Sequence, residues 1–197
     1  MARAIPGLVV AHDRTAGLLS AAWWAGDLVD RTPHHEGVKS WHALIDWLRE
    51  LDVAGERVTQ LHLWSHGNAR GPLIAGEHPT DDQLRQIAIV APSLELVWFR
   101  SCDVGKRPSN VARMVGLLDC AVACHCVVVA AGERDLRGWL AKLLPWRLRL
   151  APWHQGRIVA LRPGEVPAWD PNDPEIRGCP TTAMFVPAHA FTHSRAV

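Results

Sequence analysis

The sequence predicts an α/β fold, a three-layer sandwich with a mainly parallel central sheet. Two observations lead to this prediction. Short continuous apolar runs, typical of strands that are covered on both faces, alternate along the chain with segments of helical period. Strands that alternate with helices of about ten residues indicate βαβ units, whose strands run parallel. The 197 residues, 48% of them hydrophobic, suffice for a substantial core, so we expect one domain over 1–197.

The first half of the chain is predicted to contain two strands and one helix. Residues 8–11 form an apolar run that we expect to be the first core strand. The segment that follows, up to "RTPHHEG" at 31–37, is expected to close in a loop. Ser40 is a predicted N-cap for "WHALIDWLRELD" at 41–52, whose apolar residues recur at helical spacing. The next strand is "RVTQLHLW" at 57–64.

The second half begins with a turn-rich segment, "GNARGPLIAGEHPT", which predicts a short hairpin. Thr80 then precedes acidic residues and is a predicted cap for a helix that Pro92 terminates. The helix "SNVARMVGLLD" is predicted to be capped by Ser109 or Asn110. These two helices span 81–91 and 109–119. A strand is predicted between them, over 94–99, and another after them, over 121–130.

Residues 133–197 are expected to form an irregular extension, rich in tryptophan and proline, that packs on the domain. Residues 156–163, "GRIVALRP", are the one segment of it with the character of a late strand. The basic, tryptophan-rich stretch 138–153 could lie against a membrane surface, but Pro145 interrupts the helix that this interpretation needs. A core position or a protein partner is therefore favoured for the tryptophans of the extension, which are Trp139, Trp146, Trp153 and Trp169.

The composition excludes several classes of partner. A formal net charge of +1 with scattered basic residues argues against a nucleic-acid partner. No run reaches the roughly 18 apolar residues that a membrane span requires. The N-terminus lacks the apolar length of a secretory signal, so the expected compartment is the cytoplasm. The five cysteines are accordingly expected to be free thiols rather than a disulfide framework.

Reactive side chains follow two consecutive predicted strands. "LHLWSHG" delivers His66 onto Gly67, and "LVWFRSC" delivers Cys102. The carboxyl ends of parallel strands meet at one edge of a sheet, and neighbouring strands lie about 5 Å apart. We therefore expect the imidazole and the thiol to converge to within about 3–7 Å. An imidazole beside a thiol can take its proton, and the backbone N–H groups of Gly67 and Cys102 could stabilise an oxyanion.

The order of these motifs resembles the paired signature of caspase-like cysteine peptidases, the group that contains caspases, legumains, gingipains and separases. The hairpin "GPLIAGE" between the two motifs is most similar to that of compact bacterial caspase-like domains. The resemblance spans about residues 7–131. It implies a caspase-like fold and a thiol protease with a Cys-His dyad, in which His66 is the base, Cys102 the nucleophile and Gly67 the oxyanion donor.

The sequence around Cys102 also departs from that of caspases, where the residues before the nucleophile are Gln-Ala rather than Arg-Ser. No aspartate preference is therefore carried over to this chain. Asp103 is expected to cap the helix that follows Cys102. The other residues that we expect to support the dyad are Ser65, Ser101 and His125, the last because its strand is predicted to follow that of Cys102.

Three other groups of polar side chains are candidate sites, and none of them predicts a metal or a cofactor. "CAVACHC", with Cys120, Cys124, His125 and Cys126, would place its cysteines and its histidine on opposite faces of one strand. "RTPHHEG", with His34, His35 and Glu36, lacks the helical spacing of a metal site. His154, in "PWHQG", follows the predicted helical region. The only argument for it is that a polar segment at this point would fold back toward the predicted site.

Two hypotheses follow for the function. The first is a cysteine hydrolase, a peptidase acting on a protein or peptide substrate. The second is a catalytically silent caspase-like module that binds a protein partner within a larger assembly through the tryptophan-rich C-terminal segment. Burial of the tryptophans of the extension would favour the enzyme, and an exposed cluster of them would favour the binding module.

Overall fold

The computed structural model describes residues 6–21, 23, 34–125, 158–161 and 182–185. Seven strands form one sheet in the order β2-β1-β3-β6-β7-β9-β8, and β4 and β5 form a separate hairpin. The strands are β1 Leu8–Asp13, β2 His34–Val38, β3 Gln60–Trp64, β4 His66–Asn68, β5 Gly71–Leu73, β6 Leu96–Arg100, β7 Ala121–His125, β8 Ile158–Leu161 and β9 Thr182–Phe185. The described helices are α1 Trp41–Val53, α2 Asp81–Val90, α3 Pro108–Leu118 and a 3₁₀ helix Val104–Lys106; residues 18–21 and 23 are also helical.

The five central strands are parallel, which confirms the predicted fold class. β2, β1, β3, β6 and β7 pair in that order and in one direction. α1 connects β2 to β3, α2 leads from the hairpin to β6, and α3 connects β6 to β7. These are the crossover helices that parallel strands need. β9 pairs antiparallel with β7 and parallel with β8, so the sheet is mixed at this edge.

One face of the sheet carries the larger core. Alternate residues of the central strands point to it, and the apolar sides of α1, α2 and α3 pack there. The spacing of the apolar residues in α1 was the reason for predicting that helix, and these residues are buried as the spacing requires: Trp41, Leu44, Ile45, Leu48 and Leu51. Continuous apolar strands are needed because the opposite face of the sheet is covered as well.

The opposite face carries a smaller apolar cluster and a layer of aromatic and basic side chains. Trp23 packs there on Leu8, Val10 and Trp64. The guanidinium of Arg100 lies between two indole rings, with its Cζ 4.4 Å from the ring centroid of Trp64 and 4.0 Å from that of Trp98. A guanidinium keeps its charge at any ordinary pH, and stacking on indole faces compensates part of the cost of burying it.

Two of the predicted helix caps are confirmed, and a third is wrong. Ser40 accepts a hydrogen bond from the N–H of Ala43, and Thr80 forms a reciprocal capping box with Gln83. The third helix was predicted to be capped by Ser109 or Asn110. It begins instead at Pro108, whose missing N–H suits the first helical position, and the preceding residue makes no side-chain cap.

Two strands were not predicted from the sequence. β2, "HHEGV", was expected to be a loop, and it forms instead an edge strand beside β1. β9 lies in the extension that was expected to be irregular. β8 falls inside the segment predicted as a late strand, so that prediction is confirmed. The expected burial of the extension's tryptophans lies outside the described residues. Within the described ranges, none of the helices has the length and apolar character that crossing a membrane requires.

Candidate active site

His66 and Cys102 follow neighbouring strands at equivalent positions, each at the same distance along the chain from the last paired residue of its strand. β3 and β6 pair in parallel, and their last matched residues are Trp64 and Arg100. His66 comes two residues after the first of these, and Cys102 comes two residues after the second. The prediction that both follow the carboxyl ends of adjacent parallel strands is therefore confirmed.

A buried pair of hydroxyl groups ties the two strand ends together. The Oγ atoms of Ser65 and Ser101 are 2.8 Å apart, and both residues are almost inaccessible to solvent. The Ser65 hydroxyl also donates to the carbonyl of His66 at 3.0 Å, so the Ser101 hydroxyl is left as the donor to Ser65. The segment that carries Cys102 is thus hydrogen-bonded to the segment that carries His66 through two side chains.

Gly67 is the point at which the β4–β5 hairpin meets the Cys102 turn. A Cβ atom placed on Gly67 would lie 2.7 Å from the Cβ of Ser101 and 2.8 Å from the carbonyl oxygen of Cys102. It would also lie 2.9 Å from Cγ2 of Val104. Since contacts between carbon atoms are most favourable at about 3.5–4.0 Å, glycine is required here for close approach rather than for backbone freedom.

The hairpin geometry determines where the amide of Gly67 points. Asn68 and Gly71 close a two-residue turn, and the closing pair of such a turn takes the hydrogen-bonded position. Gly67 is opposite Pro72, so these residues form the alternate pair, whose amide groups point away from the partner strand. Pro72 has no N–H to offer, as this position allows. The Gly67 N–H is accordingly directed away from β5 and is not used in the hairpin ladder.

The buried carboxylate of Asp13, at the end of β1, is hydrogen-bonded to the segments that follow β1 and β5. Its Oδ1 accepts hydrogen bonds from the N–H and the hydroxyl of Thr15, at 2.8 and 2.7 Å. Its Oδ2 accepts one from the N–H of Ala75, at 3.3 Å, in the turn beyond β5. No sequence pattern singles out Asp13, because a carboxylate at a strand end is an ordinary surface residue until its backbone partners are known.

His66 is exposed, and its ring contacts the indole of Trp23. The centroids of the His66 imidazole and the Trp23 indole are 5.8 Å apart, with planes at 71°, an edge-to-face arrangement. Trp23 itself is buried, with 7% of its surface accessible. Nothing in the sequence pattern indicates a contact between Trp23 and His66.

Cys102 is the most accessible of the three cysteines that the structure describes. It is partly exposed, whereas Cys120 and Cys124 are buried. Burial raises the pKa of the Cys120 thiol to about 12. A thiol with that pKa is almost fully protonated at neutral pH and is a poor nucleophile, so Cys102 is the one of these three that is placed to react.

Asp103 does not cap the segment after Cys102, so that prediction is wrong. Its backbone has a left-handed conformation, φ 56° and ψ 7°, and its side chain makes no capping hydrogen bond to the 3₁₀ helix that follows. An N-cap needs extended φ and ψ to turn its side chain back on the helix, and the left-handed conformation prevents this. Asp103 instead forms the sharp bend directly after Cys102, a conformation that aspartate tolerates better than most residues.

His125 lies on β7, the neighbour of β6, as predicted. Its ring packs near that of Trp98, with centroids 6.2 Å apart. Burial, and to a smaller extent the charge of Arg100, lowers the pKa of His125 to about 4. The same two causes lower the pKa of His62, on β3, to about 3. Both imidazoles are therefore neutral at physiological pH and belong to the layer around Arg100.

Neither alternative cluster forms a metal site within the described ranges, where no group of three or more potential ligands is found. In β7, Cys124 points into the larger core while His125 points to the opposite face, as strand alternation predicted. In β2, Nε2 of His34 approaches Oε2 of Glu56 at 3.5 Å. Cys126 and His154 lie outside the described residues.

No protein-family model, curated protein or solved structure matches this chain.

Proposed function

We propose that this protein is a cysteine hydrolase that cleaves acyl bonds, with His66 as the general base and Cys102 as the nucleophile. One observation carries the proposal: the matched ends of β3 and β6, which place both residues two steps beyond Trp64 and Arg100. A polypeptide in the cytoplasm is the substrate class we propose, since the motif order resembles that of caspase-like peptidases.

The proposed reaction has two halves. In the first, His66 takes the proton of the Cys102 thiol, and the thiolate attacks the scissile carbonyl carbon. The tetrahedral intermediate collapses to a thioester as protonated His66 gives its proton to the leaving amine. In the second half, His66 takes a proton from water and the hydroxide attacks the thioester carbon. As this second intermediate collapses, the C–S bond breaks, protonated His66 returns its proton to the Cys102 thiolate, and the acid product leaves.

Gly67 supports the oxyanion step of this reaction. Its N–H points away from β5, and its Cα lies against the Ser101-Cys102 backbone. We propose that this N–H, together with that of Cys102, donates hydrogen bonds to the oxyanion of each tetrahedral intermediate. A fixed backbone donor of this kind needs no reorganisation at the moment of reaction.

Two other described histidines, on β3 and β7, are poorer candidates for the base. His62 and His125 are neutral because burial and Arg100 hold their pKa values near 3 and 4. A base whose pKa lies that far below the working pH has little driving force to accept the proton of a thiol. His66 is exposed and has solvent access for the proton that it must exchange with water.

Thiol labelling tests the proposal. We expect iodoacetamide to modify Cys102 at pH 7 at least tenfold faster than Cys120 or Cys124, as read by mass mapping of the native protein. His66→Ala should lower the Cys102 rate toward that of an unassisted thiol, and His42→Ala, on the surface of α1, is the matched control. Equal labelling of all three cysteines, or no effect of His66→Ala, would support the catalytically silent module instead.

Hydrolysis provides a second, independent test. A mixture of fluorogenic peptides that differ in the residue before the scissile bond should be cleaved by the wild-type chain and left intact by Cys102→Ser. Cleavage that persists in Cys102→Ser would show that another group performs the chemistry, and would contradict the assignment of the nucleophile.

A further inference from the structure

We infer that Trp23 is a positioning residue for His66: its buried indole holds the exposed imidazole in the orientation from which it reaches the Cys102 thiol. The inference rests on the proposed function for what His66 does and on the structure for the contact itself. The rings meet edge-to-face at 5.8 Å between centroids and 71° between planes. This arrangement brings the positive edge of one ring onto the negative face of the other.

Trp23 can act as an anchor because it is itself held. Its ring is packed on β1, against Leu8 and Val10, and on Trp64 at the end of β3. Trp64 is stacked in turn on the guanidinium of Arg100. The surface that Trp23 presents to His66 is therefore fixed to the same pair of strands that carries the dyad.

His66 needs such an anchor. It lies on a short hairpin strand and is exposed. The Ser65 hydroxyl donates a hydrogen bond to the backbone carbonyl of His66 and not to its ring. An exposed imidazole samples several rotamers, and proton transfer from a thiol needs one of them. An edge-to-face contact favours one rotamer over the others by an amount that corresponds to about a 2- to 12-fold change in its population.

Three variants separate this role from simple packing. Trp23→Leu keeps apolar volume and removes the ring, and Trp23→Phe restores a ring. Leu51→Ala is the matched control, because Leu51 is buried in the larger core, on the face of the sheet opposite Trp23. Each variant is characterised by its denaturation midpoint, by the rate of Cys102 alkylation between pH 5 and pH 9, and by the NMR resonances of the His66 ring.

We expect Trp23→Leu to lower the Cys102 alkylation rate at pH 7 by about 2- to 12-fold and to shift the His66 ring resonances, since the ring current of the indole is lost. Trp23→Phe should recover most of both effects. Leu51→Ala should lower the denaturation midpoint and leave the rate and the resonances unchanged. The inference is overturned if Trp23→Leu behaves as the wild type does in both readouts, or if Leu51→Ala changes them as much.

Two further outcomes of these experiments also bear on the inference. If Trp23→Leu does not fold, nuclear Overhauser contacts between indole and imidazole protons in the wild-type chain decide the question, and their absence overturns the inference. If His66→Ala leaves the alkylation rate of Cys102 unchanged, the proposed function fails and the positioning role fails with it. The NMR comparison would still report whether Trp23 orders the His66 ring.

Discussion

Gly67→Ala tests the contact between the hairpin and the Cys102 turn most directly. The added methyl group would lie 2.7 Å from Cβ of Ser101 and 2.8 Å from the carbonyl oxygen of Cys102. Relative to a carbon–carbon optimum of at least about 3.5 Å, the first contact is too short by roughly 0.8 Å. Both neighbours belong to or adjoin the backbone and cannot rotate away, so the hairpin or the turn must move.

The expected cost follows from these contacts. Forcing one extra methyl group into a filled space costs about 1–3 kcal/mol, and the shift also strains the hydroxyl pair of Ser65 and Ser101. We therefore expect Gly67→Ala to lower the free energy of unfolding by about 2–3 kcal/mol, measured by urea denaturation followed by circular dichroism. Displacement of the turn should also change the alkylation rate of Cys102.

Gly116→Ala is the matched control for this experiment. Gly116 is exposed in the last turn of α3, and a Cβ atom placed there meets nothing within 4 Å outside the helix backbone. The same substitution should therefore stabilise the protein, by up to about 1 kcal/mol, through helix propensity. If Gly67→Ala proves as stable as Gly116→Ala, the close approach described for Gly67 is wrong.

Three further predictions concern caps and charge. Ser40→Ala and Thr80→Ala should each lower the free energy of unfolding by about 1 kcal/mol in urea, because each removes a side-chain acceptor from a helix N-terminus. The lowered pKa values of His62 and His125 mean that the unfolded chain binds protons first on acidification. The stabilisation that comes from these two neutral histidines should therefore be fully present above about pH 6.5 and be lost as the pH falls toward 4. The free energy of unfolding should fall by at most about 2 kcal/mol per histidine between pH 7 and pH 5; a free energy that does not change over this range would contradict the burial of the two histidines. Arg100→Met should raise the pKa of His62 only partway toward its ordinary value in an NMR titration, since burial is the larger cause, and an unchanged pKa would show that the charge does not act on it.

The central fold could be predicted because its signals are local. β1 and β6 each contain a continuous apolar run, β3 is apolar at Leu61, Leu63 and Trp64, and α1 repeats its apolar residues at helical spacing between a serine cap and a glycine. β2 escaped prediction because "HHEGV" has neither an apolar run nor alternation. Its place in the sheet comes from backbone pairing with β1, and such pairing leaves no mark on an edge strand's composition.

The site could be predicted only in part, for a related reason. The positions of His66 and Cys102 follow from the ends of apolar strands, which the sequence marks. The contacts of Trp23 and Arg100 depend on strand register and on which face each side chain occupies, and a shift of one residue would exchange the faces. The helical cap expected from Asp103 failed because the backbone bends sharply at that residue, and this bend is not encoded in side-chain type alone.

The position of β9 has a consequence for the order in which the sheet is completed. β8 is synthesised before β9, yet its described ladder is with β9, which lies between β8 and β7. Among the described strands, β7 is therefore an open backbone edge during translation, opposite the β2 edge, and it stays open until residues 182–185 emerge. Open edges of this kind template pairing between chains, and pairing of segments so distant in sequence is slow. We expect the nascent chain to be most prone to aggregation in this interval, after the parallel strands have formed and before the last strand has been inserted.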